Sequence, residues 1–169
     1  METSFEENKF IEMENENDKG KIKKKNKNKI NVAEKLDIQP FKEKYFKAEN
    51  LLKQFIGNMK EINLESEKYT KTTTSAEESK VRKEIGNLIS ENDKIIQNIN
   101  KIIEGLKNDS ETLASKFSDE PELRIVNNLY IGITTQFKAN IKEYMGIQSK
   151  FQEQVKGKYK IQLKMSNLR

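Results

Sequence analysis

Apolar residues recur along much of this chain at alternating steps of four and three. The first series is Ala48, Leu52, Phe55, Met59 and Ile62. Such spacing places every member on one stripe of an α-helix, in the manner of a heptad seam. Pro40 suits the start of that helix, where its missing N–H costs nothing. The polar, β-branched run Thr70-Lys-Thr-Thr-Thr-Ser75 ends it, because such residues lose rotamer freedom in a helix or bond to their own backbone. A helix is therefore predicted over 41–69.

The second series is longer: Val81, Ile85, Leu88, Asn92, Ile95, Ile99, Ile102 and Leu106. Seven consecutive steps of three or four make this the strongest periodic signal in the chain. Ile89, Ile96 and Ile103, seven apart, lie one residue past the seam and widen the apolar face. Ser75 and Glu78 have the spacing of a capping box. The helix is predicted over 76–108, fading at Asn108-Asp109. Residues 110–120 then link, with Leu113 and Phe117 packing as one short turn.

The third series runs Val126, Tyr130, Ile133, Phe137, Asn140 or Ile141, Tyr144, Ile147, Phe151 and Val155. It predicts a helix over 121–165, roughly 60 Å long at 1.5 Å per residue. Each helix alone would leave its stripe wet. Three can bury their stripes against one another. The expected fold is all-α: an antiparallel up-down-up bundle of three long helices over 40–165.

Ahead of the bundle, residues 1–39 lack an apolar stripe. Residues 1–18 carry seven acids and one lysine, and residues 19–29 carry seven lysines and no acid. Neither half holds enough apolar surface to offset ordering entropy, so a disordered charged arm is expected, dispensable for folding. Its lysines, Lys23, Lys24, Lys25, Lys27 and Lys29 among them, are candidates for weak contact with acidic lipid. No aromatic is interleaved among them, so nucleic-acid binding is not expected.

Composition removes most chemistry. The chain has no Cys and no His. That excludes disulfides, thiol nucleophiles, histidine relays and the usual zinc ligand sets, and it fits an intracellular compartment. The acidic start is unlike a secretory signal. No apolar run approaches the roughly 18 residues of a membrane span. The carboxylates are scattered among lysines, and no pair sits isolated on an apolar surface that would raise a pKa. No catalytic residue, metal site or cofactor is expected; the chain reads as a protein-binding module and not an enzyme. Asn92, inside a row of Ile and Leu, could fix register or bond a partner across a groove, and is expected as a satisfied core residue. Gly57, Gly86, Gly105, Gly132, Gly146 and Gly157 each cost a helix about 1 kcal/mol relative to Ala, and some could permit close helix approach.

The third helix carries a more specific pattern: Arg124-Ile125, then Phe137, Tyr144-x-x-x-Gln148-x-x-Phe151, then Lys156-Gly157-Lys158-Tyr159-Lys160-Ile161-Gln162-Leu163. It resembles the last helix of the syntaxin N-terminal domain, where the same order and spacing end in Lys-Gly-Arg-Ile-x-Arg-Gln-Leu. Here Lys158 and Tyr159 stand where Arg and Ile are usual. The second helix aligns in register through Val81, Ile85, Leu88, Ile95, Ile99 and Ile102; the first matches in pattern only.

The resemblance implies a regulatory three-helix (Habc) domain of a SNAP receptor, or SNARE, acting in vesicle docking and membrane fusion. Its implied partners are the protein's own SNARE fusion helix, partner SNARE proteins and Sec/Munc-type regulators. The isolated domain is expected to be monomeric. The implied location is the cytoplasmic face of a target membrane. Residues 166–169 would begin a linker to a SNARE motif and a membrane anchor beyond this chain. The expected docking groove lies between the second and third helices, edged by a partly wet row of Ile89, Ile96 and Ile103 on one and by Ile141, Gln148 and Val155 on the other. The alternative, equally open, is that these isoleucines simply finish the three-helix core. The competing expectation is a three-helix spacer of spectrin type with no fusion role, although tryptophan seams and tandem repeats are absent.

Overall fold

The structure is a computed structural model that describes residues 34–168. The charged stretch from 1 to 33, with Lys23, Lys24, Lys25, Lys27 and Lys29, lies outside the described residues, as does Arg169. Three helices occupy one compact unit: α1, Gln39–Lys71; α2, Ser75–Lys116; and α3, Glu122–Asn167. No strand occurs among the described residues. The fold is the expected all-α, up-down-up three-helix bundle, with helices of 33, 42 and 46 residues.

The seams are the core. Ala48, Leu52, Phe55, Met59 and Ile62 of α1 are all buried. So are Ile85, Asn92, Ile95, Ile99 and Leu106 of α2, and Val126, Ile133, Phe137 and Tyr144 of α3. Full burial of the Val, Leu, Ile, Phe and Met side chains among them contributes about 1.5–3 kcal/mol each, which is what draws three amphipathic helices together. Phe55 is the hub. Its ring meets Phe137 and Tyr144 edge-on, with centroids 6.5 and 5.2 Å away. Its carbonyl accepts from Asn92 Nδ2 at 3.5 Å. α1 packs on both other helices, most extensively on α2; α2 and α3 touch each other least.

The helix ends correct several expectations. The first connection is only residues 72–74, and the capping box sits one residue earlier than the Ser75–Glu78 pair. Thr74 is extended and accepts from Glu77 N–H, while the Glu77 carboxylate accepts from Thr74 N–H. The N–H of Thr73, which also donates to this carboxylate, and that of Thr74 hold the Glu77 carboxyl below its ordinary pKa. Thr72 closes α1, its hydroxyl and its N–H both donating to the Tyr69 carbonyl.

The second helix does not fade at Asn108-Asp109 but continues to Lys116, so the expected 110–120 linker shrinks to 117–121. The seam explains this: Leu113 lies seven past buried Leu106 and packs on the core, so the added turns still bury an apolar residue. Asp109 is also held, 2.6 Å from Lys44 Nζ of α1. Phe117 is the C-cap residue, with its N–H on the Leu113 carbonyl. Pro121 is the N-cap of α3 and not its first residue. At the start of α1, Asp37 accepts from Gln39 N–H at 3.0 Å, in place of a capping side chain at Ile38.

Two further expectations change. Asn92 is buried but only half satisfied, because Oδ1 has no partner. Among the described residues no glycine is held by close packing: a Cβ at Gly57, Gly86, Gly105, Gly132, Gly146 or Gly157 would meet nothing within 4 Å.

Candidate helix-docking face

On α2 the line Ile85, Asn92, Ile99 is fully buried. Ile89, Ile96 and Ile103 each stand four residues past a member of that line. Four residues advance a helix by a full turn plus about 40°, so these isoleucines form a parallel row just round the helix. All three are half-buried and packed against the core. α3 repeats the arrangement. Ile141, Gln148 and Val155 stand four past Phe137, Tyr144 and Phe151, and all three are half-buried.

The two rows turn toward the same side. Consecutive helices run antiparallel, so equal forward rotations on α2 and α3 are mirror images when viewed down the bundle. The flank of α2 that faces α1 is the opposite one, where Ile102 shares an open cleft with Leu51 of α1. Ile89 is tied to α3 directly: its carbonyl accepts from Tyr144 Oη at 3.5 Å, a weak bond at the limit of hydrogen-bond range. The structure thus places Ile89, Ile96 and Ile103 along the α2 edge of the least-packed pair of helices. Ile141, Gln148 and Val155 follow along the α3 edge.

Tyr144 underlies this face. Burial, and secondarily the charge of Asp93, push its phenol up to about 12, so it stays a neutral donor across the physiological range. The rest of the face is aliphatic with one amide. That surface can bury an apolar stripe and offer a hydrogen bond. Among the described residues no group of His, Cys, Asp or Glu could hold a metal ion, and no helix is long and apolar enough to cross a membrane.

One polar corner was not anticipated from the sequence. Lys158 of α3 reaches the end of α1, donating to the Thr72 carbonyl at 2.9 Å, and pairs with Glu78 of α2 at 3.1 Å. Its ammonium also stands 4.6 Å from the centre of the Tyr69 ring, a favourable cation–π position. Gln162 donates to the same Glu78 carboxylate at 3.4 Å. Because Glu77 does the capping, Glu78 is free for this role. The cation at the C-terminal end of α1 also complements the helix dipole. The only available sequence signal was the pair of adjacent acids at the start of α2, one more than the cap needs.

Compared with known proteins, the chain matches no family model, no curated protein and no solved structure.

Proposed function

We propose that this bundle is a regulatory helix-binding module of syntaxin type, which docks an amphipathic fusion helix along the α2–α3 face. The observation that carries the proposal is the pair of half-buried rows on the two helices that touch least. A fourth helix laid there would complete the burial of both rows. Each isoleucine has about 1 kcal/mol still to gain from losing its remaining contact with water. The Tyr144-x-x-x-Gln148-x-x-Phe151 spacing and the Lys-Gly-Lys ending of the same helix support the syntaxin resemblance.

On this reading the module performs no fusion chemistry. It competes for one amphipathic helix, which satisfies its apolar face either on this bundle or in a bundle with partner SNARE helices. Such a module would act at the cytoplasmic face of a target membrane, with Sec/Munc-type regulators biasing the competition. The test is titration of the full chain with a labelled fusion-type helix carrying a central glutamine layer. Saturable binding, displaced by partner SNARE helices, is the expected result. No binding at millimolar peptide would overturn the proposal and leave the spectrin-type spacer.

A further inference from the structure

The α3 seam does not stop where the bundle stops. From Tyr144 it continues through Ile147, Phe151, Gln154, Lys158, Ile161, Met165 and Leu168, in unbroken alternating steps of three and four. Tyr144 is buried, and Ile147 through Lys158 are half-buried against α1 and α2. From Tyr159 onward every described residue is exposed. Ile161 is 60%, Met165 64% and Leu168 86% exposed. The end of α3 therefore presents to solvent the same stripe that forms the core lower down.

We propose that this projecting stripe docks an acidic amphipathic helix of another protein, in coiled-coil fashion. Spacing and charge choose this occupant. A seam of alternating three and four is the pattern a facing helix fills. After Glu153 the chain carries no acid, while Lys156, Lys158, Lys160 and Lys164 are all cations. With Lys158 engaged by Glu78 and Thr72, Lys160 and Lys164 lie along one flank of the stripe by the 100° advance per residue. A partner with carboxylates beside its apolar seam would meet them.

Two other surfaces fit less well. A second copy would set its own lysines against these, and like charges facing each other are costly. A membrane plane could take only one side of the helix. Tyr159 and Leu163 lie across the lysine flank from Ile161 and Met165, by the 100° advance per residue, and they are exposed as well, at 62% and 46%. No single plane takes both apolar groups without pressing the lysines into it. The proposal is independent of the α2–α3 face, which uses different residues.

The experiment is titration of the full chain with two synthetic helices that share a leucine seam, one flanked by glutamates and one by lysines. The glutamate helix is expected to bind at least tenfold more tightly. Met165→Ser with Leu168→Ser should abolish the difference and leave the thermal midpoint unchanged, since neither side chain is buried. Ile96→Ser, on the other face, should not affect it. Equal binding of the two helices, or binding indifferent to the Met165→Ser and Leu168→Ser changes, overturns the proposal. So does concentration-dependent dimerisation, or adsorption to phosphatidylserine vesicles, that those two changes abolish.

Discussion

Asn92 of α2 donates through Nδ2 to the Phe55 carbonyl of α1, 3.5 Å away, while its Oδ1 lies buried without a partner. A buried polar atom left unpaired costs roughly 1–3 kcal/mol, and replacing it by an apolar group of similar shape can stabilise. The Phe55 carbonyl is inside a helix and keeps its backbone bond. Asn92→Leu should therefore raise the unfolding free energy by about 1 kcal/mol, read from urea denaturation. A loss of stability would show that the Asn92–Phe55 contact contributes more than the unpaired oxygen costs.

Lys158 and Glu78 join α3 to the start of α2, and each side chain is mostly screened from water, with 17% and 19% exposure. Removing either leaves the other partly buried without its counter-charge. A double-mutant cycle with Lys158→Met and Glu78→Gln should give a coupling energy of about 1–2 kcal/mol. Glu77→Gln, one residue away, should couple much more weakly to Lys158→Met, because Glu77 serves the cap and the charge of Lys158 is the smallest of the influences on its carboxyl. Equal coupling at 77 and 78 would contradict the division of labour between the two acids.

Tyr144 ionises at about 12 in the folded chain, against 10.0 for a free phenol. Between these values the unfolded chain sheds its proton first. Stability that is fully present below pH 10 is therefore lost as pH rises toward 12. Tyr144→Phe has no proton to lose, so its stability should fall less steeply across that interval. Parallel curves for the two proteins would mean that the phenol is not insulated from water in the folded state.

The middles of the helices were legible in the sequence and their ends were not. Ile99, predicted from spacing alone to sit in the densest seam, is fully buried, and Ile99→Asp should cost several kcal/mol by burying an unpaired charge. Spacing works there because burial on one side imposes the period. At Asn108-Asp109 local propensity argued for an end. Tertiary contacts won: Leu113 on the core and Lys44 on Asp109. The cap moved from Ser75 to Thr74 because two overlapping boxes were available in the same acidic first turn. The corner at Lys158 joins residues 80 and 86 apart, and no local pattern reports such a pairing. The docking rows were legible as rows, because Ile89, Ile96 and Ile103 repeat every seven. Their half-burial was open from sequence, one of two equal expectations beside full burial in the core, since it depends on how closely α2 approaches α3.

The most direct test of the docking face is to make Ile96→Ser and Ile103→Ser together in the full chain. Two quantities are then measured on the same protein: the unfolding free energy and the affinity for a fusion-type helix. A docking face predicts at least a tenfold loss of affinity with only about 1 kcal/mol lost per site, because each side chain is only partly buried in the free bundle. A fall of about 2–5 kcal/mol per site, the cost of truncating a core side chain, would contradict it and return both isoleucines to the three-helix core.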